Sequence, residues 1–172
     1  MTMKKMLAAT VALAAITVAG FGAAATAHGS RSIETDSLVG IPAGLTGAAN
    51  PQRGLAGGGI AWMIGRSDVE VKANGKVEIS FHDLVFAAGP NLGKNTVGTM
   101  KAVISCITGD GSTMNVSTPS FPVSVATAPG VVPADNGGDG HIETKVMLPS
   151  PCLEPVVFIT TTTDRWLAVN GL

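Results

Sequence analysis

Apolar and polar residues alternate on both sides of a short glycine-containing turn near the middle of the chain, and this pattern predicts a β-hairpin. A two-residue turn would place the valines of the first strand opposite polar residues of the second. A three-residue turn, 73–75, with Gly75 in the left-handed conformation, instead pairs Val71 with Val77 and gathers the apolar side chains on one face. We therefore predict the three-residue turn. The alternating stretches are 69–72 and 76–81.

Short apolar or alternating runs separated by Gly, Pro, Asn and Asp extend from residue 54 to the end of the chain. None of them shows the 3.6-residue period with caps that predicts a helix. We predict an all-β fold of about nine short strands, a two-sheet antiparallel β-sandwich of immunoglobulin-like architecture with one disulfide. The likeness is architectural only, because Trp62 precedes both cysteines instead of lying between them. The other predicted strands are 60–64, 99–108, 113–118, 121–126, 142–148, 156–162 and 166–169.

The first 27 residues predict a secretory signal peptide. Lys4 and Lys5 precede an uncharged apolar run, 6–21, and Ala25-Thr26-Ala27 supplies the small residues of a cleavage site. An uncleaved membrane anchor is the alternative, because the uncharged stretch is long enough to cross a bilayer. Cleavage after Ala27 removes two of the 11 basic residues and none of the 12 acidic ones, so the formal net charge goes from −1 to −3.

The rest of the chain divides by composition into two parts. Residues 28–53 are mostly Gly, Ala, Ser, Thr and Pro with scattered charges and no sustained period, which predicts a flexible arm. Residues 54–172 contain the predicted strands and form the predicted β-sandwich domain. This arrangement predicts one exported domain, located in the periplasm or secreted.

Two cysteines, Cys106 and Cys152, are present, and in an exported chain an oxidising environment favours a bridge between them. Such a bridge would restrict the unfolded chain by ~4 kcal/mol on the loop-entropy model. The alternative is a pair of reactive thiols or half of a metal site. Neither cysteine has another Cys or a His at metal-ligand spacing, so we predict the disulfide.

Several classes of function lack their sequence features. No cluster of Lys and Arg marks a nucleic-acid surface, and no basic amphipathic stretch marks a membrane surface after signal cleavage. The chain has no G-x-S-x-G motif. The adjacent pair His82-Asp83 more plausibly marks a strand end, since neighbouring strand residues point to opposite faces. A secreted hydrolase is therefore only our third-ranked function.

The glycine-rich segment 135–140 is a candidate calcium loop, because hard cations bind several oxygens in a tight turn. Asp135 and Asp139 stand where the first and third acidic ligands would be. Gly137 and Val146 occupy the positions of two further ligands, so an ordinary exposed loop between strands is the preferred interpretation.

Copper is the sharpest alternative, because cleavage after Ala27 would make His28 the N-terminal residue, whose amine and ring nitrogens can both bind the metal. The set would be His28, Asp139 and His141. Asp139-Gly140-His141 resembles the D-x-H pair of periplasmic copper-resistance proteins of the CopC type, although the aromatic residue that follows that pair has no counterpart here. The terminal His is also similar to that of lytic polysaccharide monooxygenases, whereas this chain contains no Tyr.

The sequence thus predicts an exported, non-enzymatic β-sandwich protein of the interaction or structural type. Its partner would be a protein or a component of the cell surface, with no nucleic acid and no cofactor. An exported copper-binding protein is the alternative, and a secreted hydrolase is the third.

Overall fold

The computed structural model describes residues 32–35 and 37–171, so the predicted signal peptide, 1–27, and His28 lie outside the described residues. The described part is all-β with antiparallel strand pairs, as the hydrophobic pattern predicts, and a 3-10 turn spans Ala43–Leu45. No helix in this part has the length and apolar character needed to cross a membrane. The strands are β1 (Ile33–Thr35), β2 (Val39–Gly40), β3 (Trp62–Met63), β4 (Arg66–Val71), β5 (Lys76–His82), β6 (Val85–Phe86), β7 (Thr99–Ile107), β8 (Thr113–Ser117), β9 (Phe121–Val125), β10 (Gly137–Lys145), β11 (Leu153–Thr161) and β12 (Trp166–Val169).

One sheet of ten strands runs in the order β1-β4-β5-β10-β9-β7-β11-β12-β2, with β8 paired to β7, while β3 pairs with β6. Its opposite edges, β1 and β2, are connected by residues 36–38 alone. A flat sheet of this order would be roughly 40 Å wide, whereas that connection reaches roughly 14 Å. The sheet must therefore curl. The Leu38 N–H accordingly donates a hydrogen bond of 2.7 Å to Ser67 Oγ on β4.

The curled sheet is a half-barrel, and the predicted separation into two sheets is not confirmed. Strand β9 pairs with β10 on one side and with β7 on the other, so it joins the two halves into a continuous sheet. The periodicity of single strands predicts which face is buried, but it carries no information on whether a strand bridges two layers.

The predicted hairpin is confirmed in register and in turn type. Val71 lies opposite Val77, and Gly75 has a φ of 86°. The Lys72 N–H donates to the Lys76 carbonyl at 2.8 Å and so closes the three-residue turn. The inward-facing residues of this hairpin are all buried, namely Ser67, Val69, Val71, Val77, Ile79 and Phe81.

The central strands of the other half are buried on both faces. Every residue of 102–106 is fully buried, and since neighbouring strand residues point to opposite faces, both sides of β7 must be covered. Residues 41–62 are hydrogen-bonded to the neighbouring strands β11 and β12. The Trp166 N–H donates to the Ala56 carbonyl at 3.0 Å, the Gly58 N–H donates to the Trp166 carbonyl at 2.8 Å, and Arg53 reaches the Glu154 carbonyl at 3.2 Å.

The described residues of the segment 28–53, predicted to be a flexible arm, are in part paired with the sheet and buried. Strand β1 pairs with β4 and β2 pairs with β12. Leu38 is 5% exposed and Ile41 is fully buried. An irregular segment needs no hydrophobic period to be buried, provided that its backbone groups find partners, and here the Ile41 N–H donates to the Leu167 carbonyl at 2.8 Å.

The predicted disulfide between Cys106 and Cys152 is confirmed, with a Cα–Cα distance of 4.9 Å. Both residues are buried, and Cys106 lies on the core face of β7 as its alternation with Ile104 predicts. A buried structural bridge of this kind indicates an environment outside the reducing cytoplasm.

Candidate functional site

The richest group of chemically active side chains lies on the solvent-facing side of β5 and β10. Alternation places Ser80 and His82 on this side of β5, and Asp139 and His141 on this side of β10. Ser80 and His141 are direct cross-strand partners. The four side chains thus occupy one corner of an open polar face.

Glycines at the start of β10 make this arrangement possible. Gly140 points inward, and a Cβ there would overlap the ring of Phe81, the residue that it faces on β5. Gly138 has a φ of 97°, and a Cβ there would lie 2.7 Å from backbone atoms of Leu84. Close packing of this strand start against 81–84 brings Asp139 level with the end of β5.

His82 and Asp139 form a hydrogen-bonded pair. Nδ1 of His82 lies 3.1 Å from Oδ1 of Asp139, and the same oxygen accepts the Asp83 N–H at 3.3 Å. Both side chains are about half exposed, at 41% and 51%. The Asp139 N–H donates to Ser124 Oγ on β9 at 2.9 Å, so the backbone of Asp139 is tied to β9 while its carboxylate is held at the end of β5. The pair can exchange a proton with solvent or supply two ligand atoms.

His141 stands beside this pair and lines an open depression of about 340 Å³ with Ser80, His82, Pro122 and Asp139. Even so, no group of three or more His, Cys, Asp or Glu side chains gathers into a metal-binding cluster anywhere in residues 32–35 and 37–171.

The predicted copper set is thus only partly represented in the described residues. Asp139 and His141 share a face, while His28 lies outside the described residues, and the copper set stays a prediction. Sequence reasoning missed the contact between Asp139 and His82. The predicted strand begins at Ile142, and its alternation, extended backward, places Asp139 on the same face as His141.

Residues 137–140 of the segment 135–140 form the first half of β10 instead of an exposed loop, and the calcium site stays a prediction. Asp135 Oδ1 accepts the Gly137 N–H at 2.7 Å within its own turn, and Asp139 is engaged by His82. The two carboxylates are therefore held by different partners. At the start of β10, Gly137 has a φ of 67°, and a Cβ there would lie 2.5 Å from the carbonyl carbon of Val125 on β9.

His82 and His141, the two histidines among the described residues, are not paired with a nucleophilic side chain there. In the part of the chain that the structure describes, no Ser, Thr or Cys side chain hydrogen-bonds to His82 or His141. The prediction that His82 ends its strand is confirmed, since β5 ends there and Asp83 turns with a φ of 56°.

A row of glutamates crosses four neighbouring strands on the same face. Like charges in direct register repel, and Lys72 and Lys76 compensate part of the row. Lys76 lies 3.0 Å from Glu143 and 3.1 Å from Glu78. The hydrogen bond and charge of Glu143, then those of Glu78, raise the pKa of Lys76, and Lys76 in turn lowers the pKa of Glu143. The row consists of Glu34, Glu70, Glu78 and Glu143.

The second candidate site is the open edge of β8, which pairs with β7 alone among the described strands. The Thr118 N–H donates to the Ala102 carbonyl, and the Thr108 N–H donates to the Ser112 carbonyl, each at 2.9 Å. Because hydrogen-bonded pairs alternate along an antiparallel ladder, even-numbered residues of β8 face β7. The N–H and C=O groups of three residues therefore point away from the sheet. These residues are Thr113, Asn115 and Ser117.

The side chains of β8 make this edge partly apolar. Met114 lies opposite Cys106 and Val116 lies opposite Ile104, so both stand on the core face of the sheet, yet Met114 is 46% exposed. The strand contains no charge and no proline, the usual protections of an exposed edge. The terminal strands β1 and β2 are shorter, at three and two residues.

Comparisons with family models, with curated proteins and with solved structures match this chain to none of them. Two structural features remain as sources of function: the corner formed by His82, Asp139 and His141, and the open edge of β8.

Proposed function

We propose that this chain is an exported, non-enzymatic β protein of the interaction type, which binds an extended polypeptide strand along the open edge of β8. A partner strand there would exchange main-chain hydrogen bonds with β8 and lengthen the sheet, a recurring mode of peptide recognition. Every second side chain of the partner strand would then lie beside Met114 and Val116. These two residues would supply the apolar contact.

One observation carries the proposal: β8 presents three outward N–H and three outward C=O groups beside a half-exposed methionine on the core face. A sheet edge of this kind is a template for another strand unless it is blunted. The neighbouring strand β7 is fully buried over 102–106 and is held by the disulfide at Cys106, so the edge is presented on a rigid support.

We also propose that the half-barrel is a distorted two-layer sandwich of immunoglobulin-like architecture. One layer would comprise β1, β4, β5 and β10, and the other would comprise β8, β7, β11, β12 and β2, with β9 bridging them. The T-shaped contact of Phe81 on β5 with Phe121 on β9, at a ring-centroid distance of 6.1 Å, supports packing of the first layer against the bridging strand.

The export step is tested by mass spectrometry of the protein recovered outside the cytoplasm. We expect a mature chain that begins at His28, because Ala25-Thr26-Ala27 supplies the cleavage site. Recovery of an uncleaved chain in the membrane fraction would support the anchor instead.

The binding step is tested by amide hydrogen exchange on isotope-labelled, processed protein returned to the extracytoplasmic fluid of its source. We expect the amides of Thr113, Asn115 and Ser117 to become protected there at least tenfold relative to dilute purified protein. Asn115→Pro removes one outward donor without touching the ladder to β7, and it should abolish that protection. Asn115→Ala, the matched control, loses the side-chain bond to the Arg53 carbonyl and keeps the N–H. Outward amides that exchange equally fast in both settings would refute binding at this edge.

Copper binding is a second candidate, favoured by the contact of Asp139 with His82 and by the position of His141 on the same face. The donor set would be His28, Asp139 and His141, and His82 would hold the carboxylate in place. Imidazole nitrogens together with a terminal amine suit Cu(II).

Calorimetric titration with Cu(II) separates this candidate from the first. One extra residue before His28 turns the terminal amine into an amide, which is not a ligand at neutral pH, so that extension and His141→Ala should each abolish tight binding. His82→Ala should weaken binding less, since it removes only the group that orients Asp139. Weak uptake that is equal in all variants would exclude a copper function.

A further inference from the structure

We infer that the strand bound at the edge of β8 is β8 of a second copy, so that the chain forms a two-fold symmetric dimer centred on Asn115. This inference rests on the proposed function and names its partner. The argument comes from the register of the outward groups, from the side chains and from the other edges of the sheet.

The backbone of β8 is complementary to itself. In an antiparallel pair centred on Asn115, Thr113 faces Ser117 of the second copy, and the two Asn115 residues face each other. Residues with outward backbone groups then lie opposite each other only. Every outward N–H and C=O of both copies forms a hydrogen bond across the pair. A register shifted by one residue would set outward groups against inward ones, and a shift by two would leave some of them unused.

The side chains of β8 fit the same register. Met114 would face Val116 of the second copy on the core face, and Val116 would face the second Met114, so the exposed part of Met114 becomes covered. Such apolar cross-strand pairs stabilise a sheet. The strand is uncharged, so no like charges meet across the two-fold axis.

The remaining edges of the sheet favour a closed dimer over a filament. A filament needs a second, different edge for β8 to pair with, and β1 and β2 are three and two residues long. Glu34 on β1 continues the glutamate row and adds charge to that edge. An isologous contact of β8 with itself closes after two copies. One strand pair is a small interface, so we expect a reversible dimer.

A cysteine placed on the two-fold axis gives the first test. Residues in a hydrogen-bonded antiparallel pair have Cα atoms about 5.5 Å apart, which a disulfide can span. Purified, processed Asn115→Cys should form a covalent dimer under mild oxidation. Its yield of cross-linked dimer should be at least tenfold higher than that of the control Met147→Cys, which places the cysteine at a position where the native methionine is 90% exposed. Equal cross-linking of the two variants would overturn the inference.

Sedimentation velocity on purified protein gives the second test. The wild-type chain should pass from monomer to dimer as its concentration rises. Asn115→Pro and Met114→Lys should raise the dissociation constant at least tenfold, whereas Asn115→Ala and Met147→Lys should not, and all four should unfold at midpoints that confirm an intact fold. A chain that is monomeric at every concentration, or a dimer that both edge variants leave intact, would overturn the inference.

The two proposals fail in different ways. A purified chain that stays monomeric, with outward amides of β8 that become protected in the source fluid, means that a different protein supplies the strand. In that case the dimer is wrong and the binding edge stands. Amides that are protected in neither setting overturn both.

Discussion

At the scale of single residues, Gly75 shows two separate constraints at one position. Its φ of 86° follows from the three-residue turn, which alternation alone predicts. A Cβ at this position would also overlap the carbonyl oxygen of Val146. The two residues are held close together because the Val146 N–H donates to the Gly75 carbonyl at 2.9 Å. The second constraint comes from a residue 71 positions later, and no local pattern can indicate it.

Gly75→Val should therefore lower the free energy of unfolding by about 2–4 kcal/mol, because backbone strain and steric overlap add. Gly111→Val is the matched control: Gly111 has a φ of 82° and no atom within 4 Å of its Cβ position, so strain alone should cost about 1–2 kcal/mol. Asn74→Asp keeps the oxygen that accepts the Lys76 N–H and should be nearly neutral. Urea denaturation measures all three. Equal losses for the two valine variants would contradict the close approach to Val146.

The corner formed by His82, Asp139 and His141 is likewise only partly predictable from the sequence. The histidines and Asp139 are visible in the sequence, and the alternation of β10 places Asp139 and His141 on one face. The hydrogen bond from Asp139 to His82 depends on how β5 and β10 align, and that alignment depends on glycines that remove steric overlap with Phe81 and Leu84. Residue types were therefore predictable here, and their pairing was not.

At the scale of elements, short apolar or alternating runs identify the longer strands, including β7 and β12, which are buried on both faces, and miss the very short ones. The hairpin of β4 and β5 and the strands β8, β9 and β12 lie where the pattern predicts them. Strands β1, β2 and β6 have two or three residues, too few to show a period. The segment 41–62 is held by backbone hydrogen bonds to β12, which composition does not reveal.

Truncation in that segment tests whether it belongs to the core. Ile41 is fully buried, so Ile41→Ala should destabilise the chain by about 2–4 kcal/mol, as a core truncation does. Val39, two residues away and 47% exposed, supplies the control, and Val39→Ala should change stability by about 0.5 kcal/mol or less. Thermal or urea unfolding measures this loss and shows whether the segment packs as part of the core or behaves as a flexible arm. A neutral Ile41→Ala would restore the flexible arm that composition predicts.

At the scale of the whole molecule, distant parts of the chain hold the curl of the sheet. The hydrogen bond from Leu38 to Ser67 joins the residue before the edge strand β2 to β4, the neighbour of the opposite edge strand, and the disulfide links the end of β7 to the residue before β11. The bridge lies next to the paired residues Ile107 and Leu153, at one end of the strands that support β8. The presence of two cysteines in a predicted exported chain predicts the bridge, whereas its place next to β8 depends on the topology.

The double variant Cys106→Ala/Cys152→Ala tests this role of the bridge. Loss of the bridge restores freedom to the unfolded chain, so we expect a loss of ~2–4 kcal/mol and a fall in melting temperature of the order of 10 °C. Because Cys106 lies opposite Met114, the inward amides of Met114 and Val116 should also exchange faster. Ser105→Ala is the control on the same strand, since it removes a buried hydroxyl that has no hydrogen-bond partner among the described residues and should be nearly neutral. Two titratable thiols in the unreduced, denatured wild-type protein would contradict the bridge, and unchanged exchange in β8 would show that the edge does not depend on it.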